Sequence, residues 1–286
     1  MKKILITGKN SYIGNSFEQW VSQWPKEYNV NKISLRNEKW EKNDFGEYST
    51  ILHVAGIAHV SANPQMEELY YKINRDLTVK TANKAKKEGV NQFIFLSSII
   101  IYGGSVDNNI INQSTKPQPD NFYGRSKLEA EEEIRKLEDD NFKILIIRPP
   151  MVYGKGSKGN YTRLSQIAQI APVFPNIDNQ RSMIHIDNLC EFMREVINQE
   201  ESGIFFPQNR EYVKTSEMVR TIAITHGKRI WMTTKFNFLM KPFLKLKISK
   251  KIFGNLVYDK SLSSYRNIDY QIRDFEKSIY LTEKDK

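Results

Sequence analysis

The stretch Lys3-Ile4-Leu5-Ile6-Thr7-Gly8-Lys9-Asn10-Ser11-Tyr12-Ile13-Gly14 decides how the rest of this sequence is read. A short apolar run ends in a glycine, and apolar residues at helical spacing follow from Ile13. Gly8 permits a tight turn, and Gly14 lets the following helix pack closely on the strand. Between them lie Asn10, Ser11, Tyr12 and Ile13, where backbone N–H groups and a helix N-terminus can hold a pyrophosphate. Ser11 stands where a Gly-x-x-Gly-x-x-Gly pattern has its middle glycine, a small replacement that still admits close approach.

Such a turn has this meaning inside an alternating chain, and the sequence alternates. Strands are expected at Lys3–Thr7, Lys32–Leu35, Ile51–Ala55, Gln92–Ser97 and Phe142–Ile147. Helices are expected at Ile13–Trp24, Met66–Glu88 and Tyr123–Leu137. Apolar strand runs separated by helices imply crossover connections and a parallel sheet covered on both faces. The fold class is therefore α/β, a doubly wound Rossmann-type sheet. Beyond Arg148-Pro149-Pro150 the texture changes. A loop at Gly154–Gly159, helices at Tyr161–Ala171, Asp187–Glu200 and Thr215–His226 and a strand at Ser202–Phe206 precede sixty mostly helical, basic residues. The expected division is 1–150, with 183–200 returning to it, for the dinucleotide-binding domain. Residues 151–182 and 201–286 then form a smaller, mainly helical substrate lobe over the carboxyl edge of the sheet.

Composition narrows the class. With 286 residues, 40% hydrophobic and 27% charged, the chain has the make-up of a globular enzyme. Mean hydropathy is −0.56, and no apolar run nears the ~18 residues of a spanning helix. The apolar start is too short for a signal peptide, so a cytoplasmic protein is expected. A single cysteine, Cys190, excludes an internal disulfide and a multi-cysteine zinc site. No His/Asp/Glu cluster has ligand spacing, so no metal is expected. His53 and His185 read as core histidines. A net charge of +10 suits nucleic acid, an anionic membrane or a phosphorylated small molecule. Lys235 to Lys251 sets six lysines among Phe236, Phe238, Leu239, Met240, Phe243, Leu244 and Leu246. It reads as an amphipathic helix docked on its own core. Neither a nucleic-acid partner nor a membrane-spanning segment is expected.

The chemistry sits in Ser98, Tyr123 and Lys127. Tyr123-Gly-Arg-Ser-Lys127 puts tyrosine and lysine one helical turn apart on one face, and Ser98 follows the fourth strand at the carboxyl edge of the sheet. A tyrosine of pKa near 10 is a poor acid-base group at neutral pH, and a neighbouring ammonium lowers it. A serine hydroxyl can orient a carbonyl or alkoxide beside it.

Together with His53-Val54-Ala55-Gly56, Phe95-Leu96-Ser97-Ser98…Tyr102-Gly103, Arg148-Pro149-Pro150-Met151-Val152-Tyr153-Gly154, Arg181-Ser-Met-Ile-His185-Ile-Asp187, Phe253-Gly-Asn-Leu-Val-Tyr-Asp259 and Ile268-Asp269-Tyr270, these stretches run through the whole chain. The sequence resembles the extended short-chain dehydrogenase/reductase family acting on nucleotide sugars. Within it, the chain is most similar to capsule and O-antigen enzymes that reduce UDP-4-keto-6-deoxy-N-acetylhexosamines, with UDP-glucose 4-epimerases as the neighbouring branch. The resemblance implies that Tyr123 protonates the sugar C4 oxygen, that Ser98 orients it, and that Lys127 binds the nicotinamide ribose. It implies further that Ala55, Gly56 and Pro149 line the cofactor and that Asp44 reaches the adenine amine. Asn160 and Arg181 would hold the UDP, and Arg148 would be structural. The helices Met66–Glu88 and Tyr123–Leu137 resemble those of a four-helix homodimer interface.

Two departures matter. Epimerase-like members carry Asn where this chain has Met151, so that contact is not carried over. At the end of the second strand, where NAD enzymes place a carboxylate for the ribose, the chain reads Leu35-Arg36-Asn37. A guanidinium attracts a 2′-phosphate, so NADP(H) is the expected cofactor and NAD the alternative. The expected activity is reduction of a 4-keto group on a UDP-activated 6-deoxy-N-acetylhexosamine. The alternatives are a UDP-hexose 4-epimerase that keeps NAD bound and a non-catalytic dinucleotide sensor, which would have no need of Tyr123.

Overall fold

The computed structural model describes residues 1–58, 63–103, 110–235 and 254–284. Most of the Lys235–Lys251 stretch lies outside them. Six strands form a parallel sheet: β1 (Lys2–Thr7), β2 (Tyr28–Ile33), β3 (Thr50–His53), β4 (Gln92–Leu96), β6 (Lys143–Ile147) and β10 (Gly203–Phe205). Their order is β10-β6-β4-β3-β1-β2, so the winding reverses between β1 and β3. In open α/β sheets that reversal opens a crevice outside the carboxyl ends of the strands.

Side chains alternate across the sheet. Ile4, Ile6, Leu52, Ile94 and Leu145 face a core built with Phe17 of α1 (Tyr12–Val21) and with Leu189, Phe192 and Val196 of α6 (Ile186–Asn198). Leu5, Ile51, Phe93, Phe95 and Ile144 face the other way. They meet Ala82 and Ala85 of α3 (Leu77–Lys87) and Ala130 and Ile134 of α4 (Phe122–Arg135). Burying an isoleucine or phenylalanine contributes about 1.5–3 kcal/mol, which makes this double layer the main stabilising element.

The structure shifts several expected elements. The second strand ends at Ile33, and Arg36 lies beyond it, exposed. It is an edge strand in which Asn29 and Asn31 alternate outward, so it lacks the continuous apolar run that marked the inner strands. The expected Met66–Glu88 helix is not uniform. Pro64–Met66 is a 3₁₀ turn, α2 covers Glu67–Tyr70, Tyr71–Asp76 is a π-turn, and α3 follows. Residues 203–205, placed in the second lobe by sequence, are the outer strand of the sheet, hydrogen-bonded to β6.

The second lobe has its own core. Tyr153 of β7 (Met151–Tyr153) packs with Tyr161 and Leu164 of α5 (Asn160–Ile170). Met218 and Ile222 of α7 (Thr215–Thr225) and Ile279 of α8 (Phe275–Glu283) complete it. Short parallel pairs join β7 to β9 (Met183–His185), β8 (Val173–Pro175) to β11 (Trp231–Thr233), and β5 (Ile110–Ile111) to β12 (Val257–Tyr258). The described part of the last sixty residues is thus largely strand and irregular backbone, with one α-helix.

Candidate active site

The glycine turn lies at the reversal point. Gly8 has φ +101°, and a Cβ there would sit 3.1 Å from the Ala55 nitrogen, so backbone meets backbone across the crevice. A Cβ on Gly14 would fall 2.8 Å from Ile6 Cγ2. Ser11 caps α1 by accepting from the Gly14 N–H at 2.9 Å. The N–H groups of Tyr12 and Ile13, in the first turn, have no carbonyl one turn before them to bond. The Tyr12 hydroxyl is buried without a hydrogen-bond partner beside Gly154, and Ser97 Oγ is likewise unpartnered. Asn10 is exposed on the same turn. A bare-backbone cradle with orphaned hydroxyls nearby fits a dinucleotide pyrophosphate.

Lys127 and Tyr123 stand one turn apart on α4, which Asn121 caps by accepting from the Gly124 N–H. Both face the carboxyl edge of β4. Lys127 is buried, and its ammonium donates to the Leu96 carbonyl at 2.8 Å and lies 4.5 Å from the Phe95 ring centre. Burial holds this lysine down to about 8, partly offset by Glu131 one turn along. Tyr123 shares a hydrogen bond with Ser98 and packs edge-on to Tyr70 at 5.7 Å. Burial pushes its hydroxyl up to about 12, against the lowering effect of Ser98. The depression expected from Lys127 is therefore not present here, because the ammonium is held on a backbone carbonyl instead. Ser98 also caps the 3₁₀ turn Ile99–Tyr102, accepting from the Ile100 N–H.

Asn74 was not foreseen. Its amide oxygen accepts from the Ile57 N–H at 2.9 Å, and its nitrogen donates to the Ile57 carbonyl and to Ser126 Oγ. Ser126 in turn donates to the Tyr123 carbonyl. A Cβ on Gly56 would lie 3.1 Å from Asn74 Oδ1 and 3.3 Å from Lys127 Nζ. The π-turn thus delivers a fully buried amide that ties the loop after β3 to the turn carrying Tyr123. The sequence signal was a polar residue on an apolar helical face, one turn from Tyr70 and Thr78.

The other expected residues are spread around this centre. Pro149 is buried, its carbonyl accepting from the Ile99 N–H at 3.0 Å, next to Ser98. Arg36, Asn37 and Asp44 are exposed beyond β2. Asn37 caps a 3₁₀ turn, accepting from the Lys39 N–H, and Asp44 accepts from the Gly46 N–H. In the second lobe, Asn160 begins α5, while Arg181 is half-buried and donates to the Gly254 carbonyl at 2.8 Å. Burial lowers that guanidinium to about 10.

Arg148 is internal. It grips Glu131 of α4 through Nε and Nη2, at 2.5 Å for the shorter contact, and donates from Nη1 to the Tyr102 hydroxyl at 2.7 Å. His53 is a satisfied core histidine. Thr78 donates to the Asn74 carbonyl, so His53 Nε2–H donates to Thr78 Oγ1 and Nδ1 accepts from Thr7. Burial lowers it to about 3. His185 is similarly enclosed and lowered to about 4, and burial raises the Cys190 thiol. Among the described residues, no group of three or more His, Cys, Asp or Glu is placed to hold a metal ion, and no helix is long and apolar enough to cross a membrane.

Comparison with known proteins agrees with this geometry. The model of the NAD dependent epimerase/dehydratase family matches residues 4–206. A UDP-glucose 4-epimerase of Vibrio cholerae is 30% identical over 277 residues, covering 88% of this chain and 83% of that protein. The dTDP-4-dehydrorhamnose reductase of Bacillus anthracis, solved with NADP, superposes with a TM-score of 0.68 at 19% identity over 83% of this chain and 86% of that one. The Thermus thermophilus UDP-glucose 4-epimerase, solved with NAD, gives 0.74 at 15% identity over 98% and 97%. Those two structural likenesses speak to the fold.

Proposed function

Because the chain belongs to the NAD-dependent epimerase/dehydratase family, whose enzymes act on nucleotide sugars, we propose that it reduces the 4-keto group of a UDP-activated 6-deoxy-N-acetylhexosamine with NADP(H), for surface polysaccharide synthesis. The observation that carries this reading is the convergence of Ser98, Tyr123 and Lys127 beside the glycine cradle. The cofactor would lie across Gly8 to Gly14, Ala55, Gly56 and Pro149, and when bound it supplies the reducing equivalent. Tyr123 gives its proton to the sugar C4 oxygen, and Ser98, already bonded to that hydroxyl, orients the same oxygen. Lys127 carries the positive charge that favours ionised Tyr123 once a ligand draws its ammonium from the Leu96 carbonyl. Asn74 and Ser126 keep the Tyr123 turn in place. Asn160 and Arg181 would take the UDP, and Arg36 the 2′-phosphate.

A second reading, 4-epimerisation of a UDP-hexose with tightly held NAD, is favoured by the Vibrio relative. One experiment separates them. A reductase exchanges its cofactor at every turnover, so purified protein should carry little NAD and oxidise NADPH only when a UDP-4-keto sugar is supplied. Interconversion of UDP-glucose and UDP-galactose without added cofactor would establish the second reading instead. In either case Tyr123→Phe should lower kcat by about 10²-fold or more with dinucleotide binding kept, since only the transferred proton is removed. Near-normal turnover would refute the assignment. The Met66–Glu88 and Tyr123–Leu137 segments are the surfaces proposed for a homodimer, testable by sedimentation equilibrium.

A further inference from the structure

The far end of the second lobe collects apolar side chains that the fold leaves uncovered. α5 runs out at Ile170, which is 81% exposed, and β8 begins just after it with Val173 at 40%. Trp231 pairs directly with Val173 across the β8–β11 ladder, donates its backbone N–H to the Pro172 carbonyl at 2.9 Å, and is 77% exposed. α7 ends beside Ile224, 61% exposed, and the turn after it is tied to the end of α5 by Lys228 donating to the Gln169 carbonyl. Isolated exposed hydrophobes are ordinary, but Trp231 and Val173 paired in one ladder, with Ile170 three residues before Val173, make a patch.

The exposed charges next to it along the chain are cationic. Lys228 and Arg229 are exposed between Ile224 and Trp231. The described segments that supply the patch, Arg163 to Pro175 and Met218 to Lys235, hold Arg163, Arg220, Lys228, Arg229 and Lys235 and no aspartate or glutamate. A second copy docking face to face would bring these cations against one another. Nucleic acid would leave the aliphatic side chains unused. A leaflet with anionic headgroups meets both halves of the surface, since lysine and arginine are drawn to its negative potential while tryptophan suits the headgroup boundary.

We propose that this end of the lobe, centred on Trp231, docks peripherally and reversibly on an anionic membrane surface. The test is co-sedimentation of the full chain with phosphatidylglycerol/phosphatidylcholine vesicles against pure phosphatidylcholine. The protein should pellet with the anionic vesicles at low salt, be released by high salt, and ignore the neutral ones. Lys228→Glu with Arg229→Glu should weaken partitioning by about tenfold or more, since each residue near the surface contributes about a fivefold factor. Trp231→Ser should weaken it severalfold. Both variants should retain turnover, which shows that they fold. Absence of binding, equal binding to neutral vesicles, or indifference to both variants would overturn the proposal. So would a dimer abolished by Trp231→Ser, which would assign the patch to a second copy. Protection of Trp231 from acrylamide in vesicle-free protein, read as the difference from Trp231→Phe, would show that the chain covers the patch itself and would equally overturn it.

Discussion

Replacing Arg148 by Met would remove the guanidinium that Glu131 faces inside the protein. The Glu131 side chain is 2% exposed and that of Arg148 is 7%. The carboxylate would lose contacts at 3.2, 3.1 and 2.5 Å, and the Tyr102 hydroxyl its 2.7 Å donor. A buried charge stripped of its partner costs about 3–5 kcal/mol, whereas replacing the whole pair by apolar residues of similar volume is often neutral or stabilising. Arg148→Met should therefore lose about 3–5 kcal/mol in urea unfolding at neutral pH. Adding Glu131→Leu should restore most of it, as a large favourable coupling in the double-mutant cycle. Arg148 also joins the end of the Ser98 turn, through Tyr102, to the helix carrying Tyr123 and Lys127. The restored double variant should accordingly regain stability without regaining full kcat. A single-variant loss below about 1 kcal/mol, or a double variant no more stable than the single, would refute the reasoning about buried charge.

Three further outcomes follow from the same structure. Lys127 titrates near 8 when folded against an ordinary 10.5, so its burial penalty is full below pH 8, shrinks between 8 and 10.5 and vanishes above. Lys127→Met should thus stabilise the protein at pH 7 by about 1–3 kcal/mol while abolishing turnover, the gain fading by pH 10.5; comparable destabilisation at pH 7 would contradict this. His53 and His185, lowered to about 3 and about 4, are neutral when folded, so the unfolded chain alone takes up these protons as pH falls below 6.5. Stability should decline between pH 6.5 and 4 by up to about 1.4 kcal/mol per pH unit for each histidine, and a His53→Gln variant that folds should show a shallower slope. Arg36→Asp should lower the NADPH-to-NADH ratio of kcat/KM by roughly ten- to a hundredfold, and an unchanged ratio would make Arg36 a plain surface residue.

Residue spacing alone determined the alternating α/β architecture, the glycine turn, and the placing of Tyr123 and Lys127 on one helical face. Each of these follows from local rules: period two in strands, 3.6 in helices, and the freedom of glycine at a turn. The second strand was displaced because an edge strand is half solvated and carries Asn29 and Asn31 where an inner strand carries aliphatic residues. Asn74 left only the trace of a polar residue on an apolar helical face, and its pairing with Ser126 and the Glu131–Arg148–Tyr102 pairing were out of reach, since the partners lie far along the chain and meet only when helices pack across the sheet. The protonation chemistry was likewise decided by the tertiary structure. Spacing placed an ammonium near a phenol, but packing turned that ammonium onto the Leu96 carbonyl and buried both groups, and desolvation then moved the tyrosine up and the lysine down.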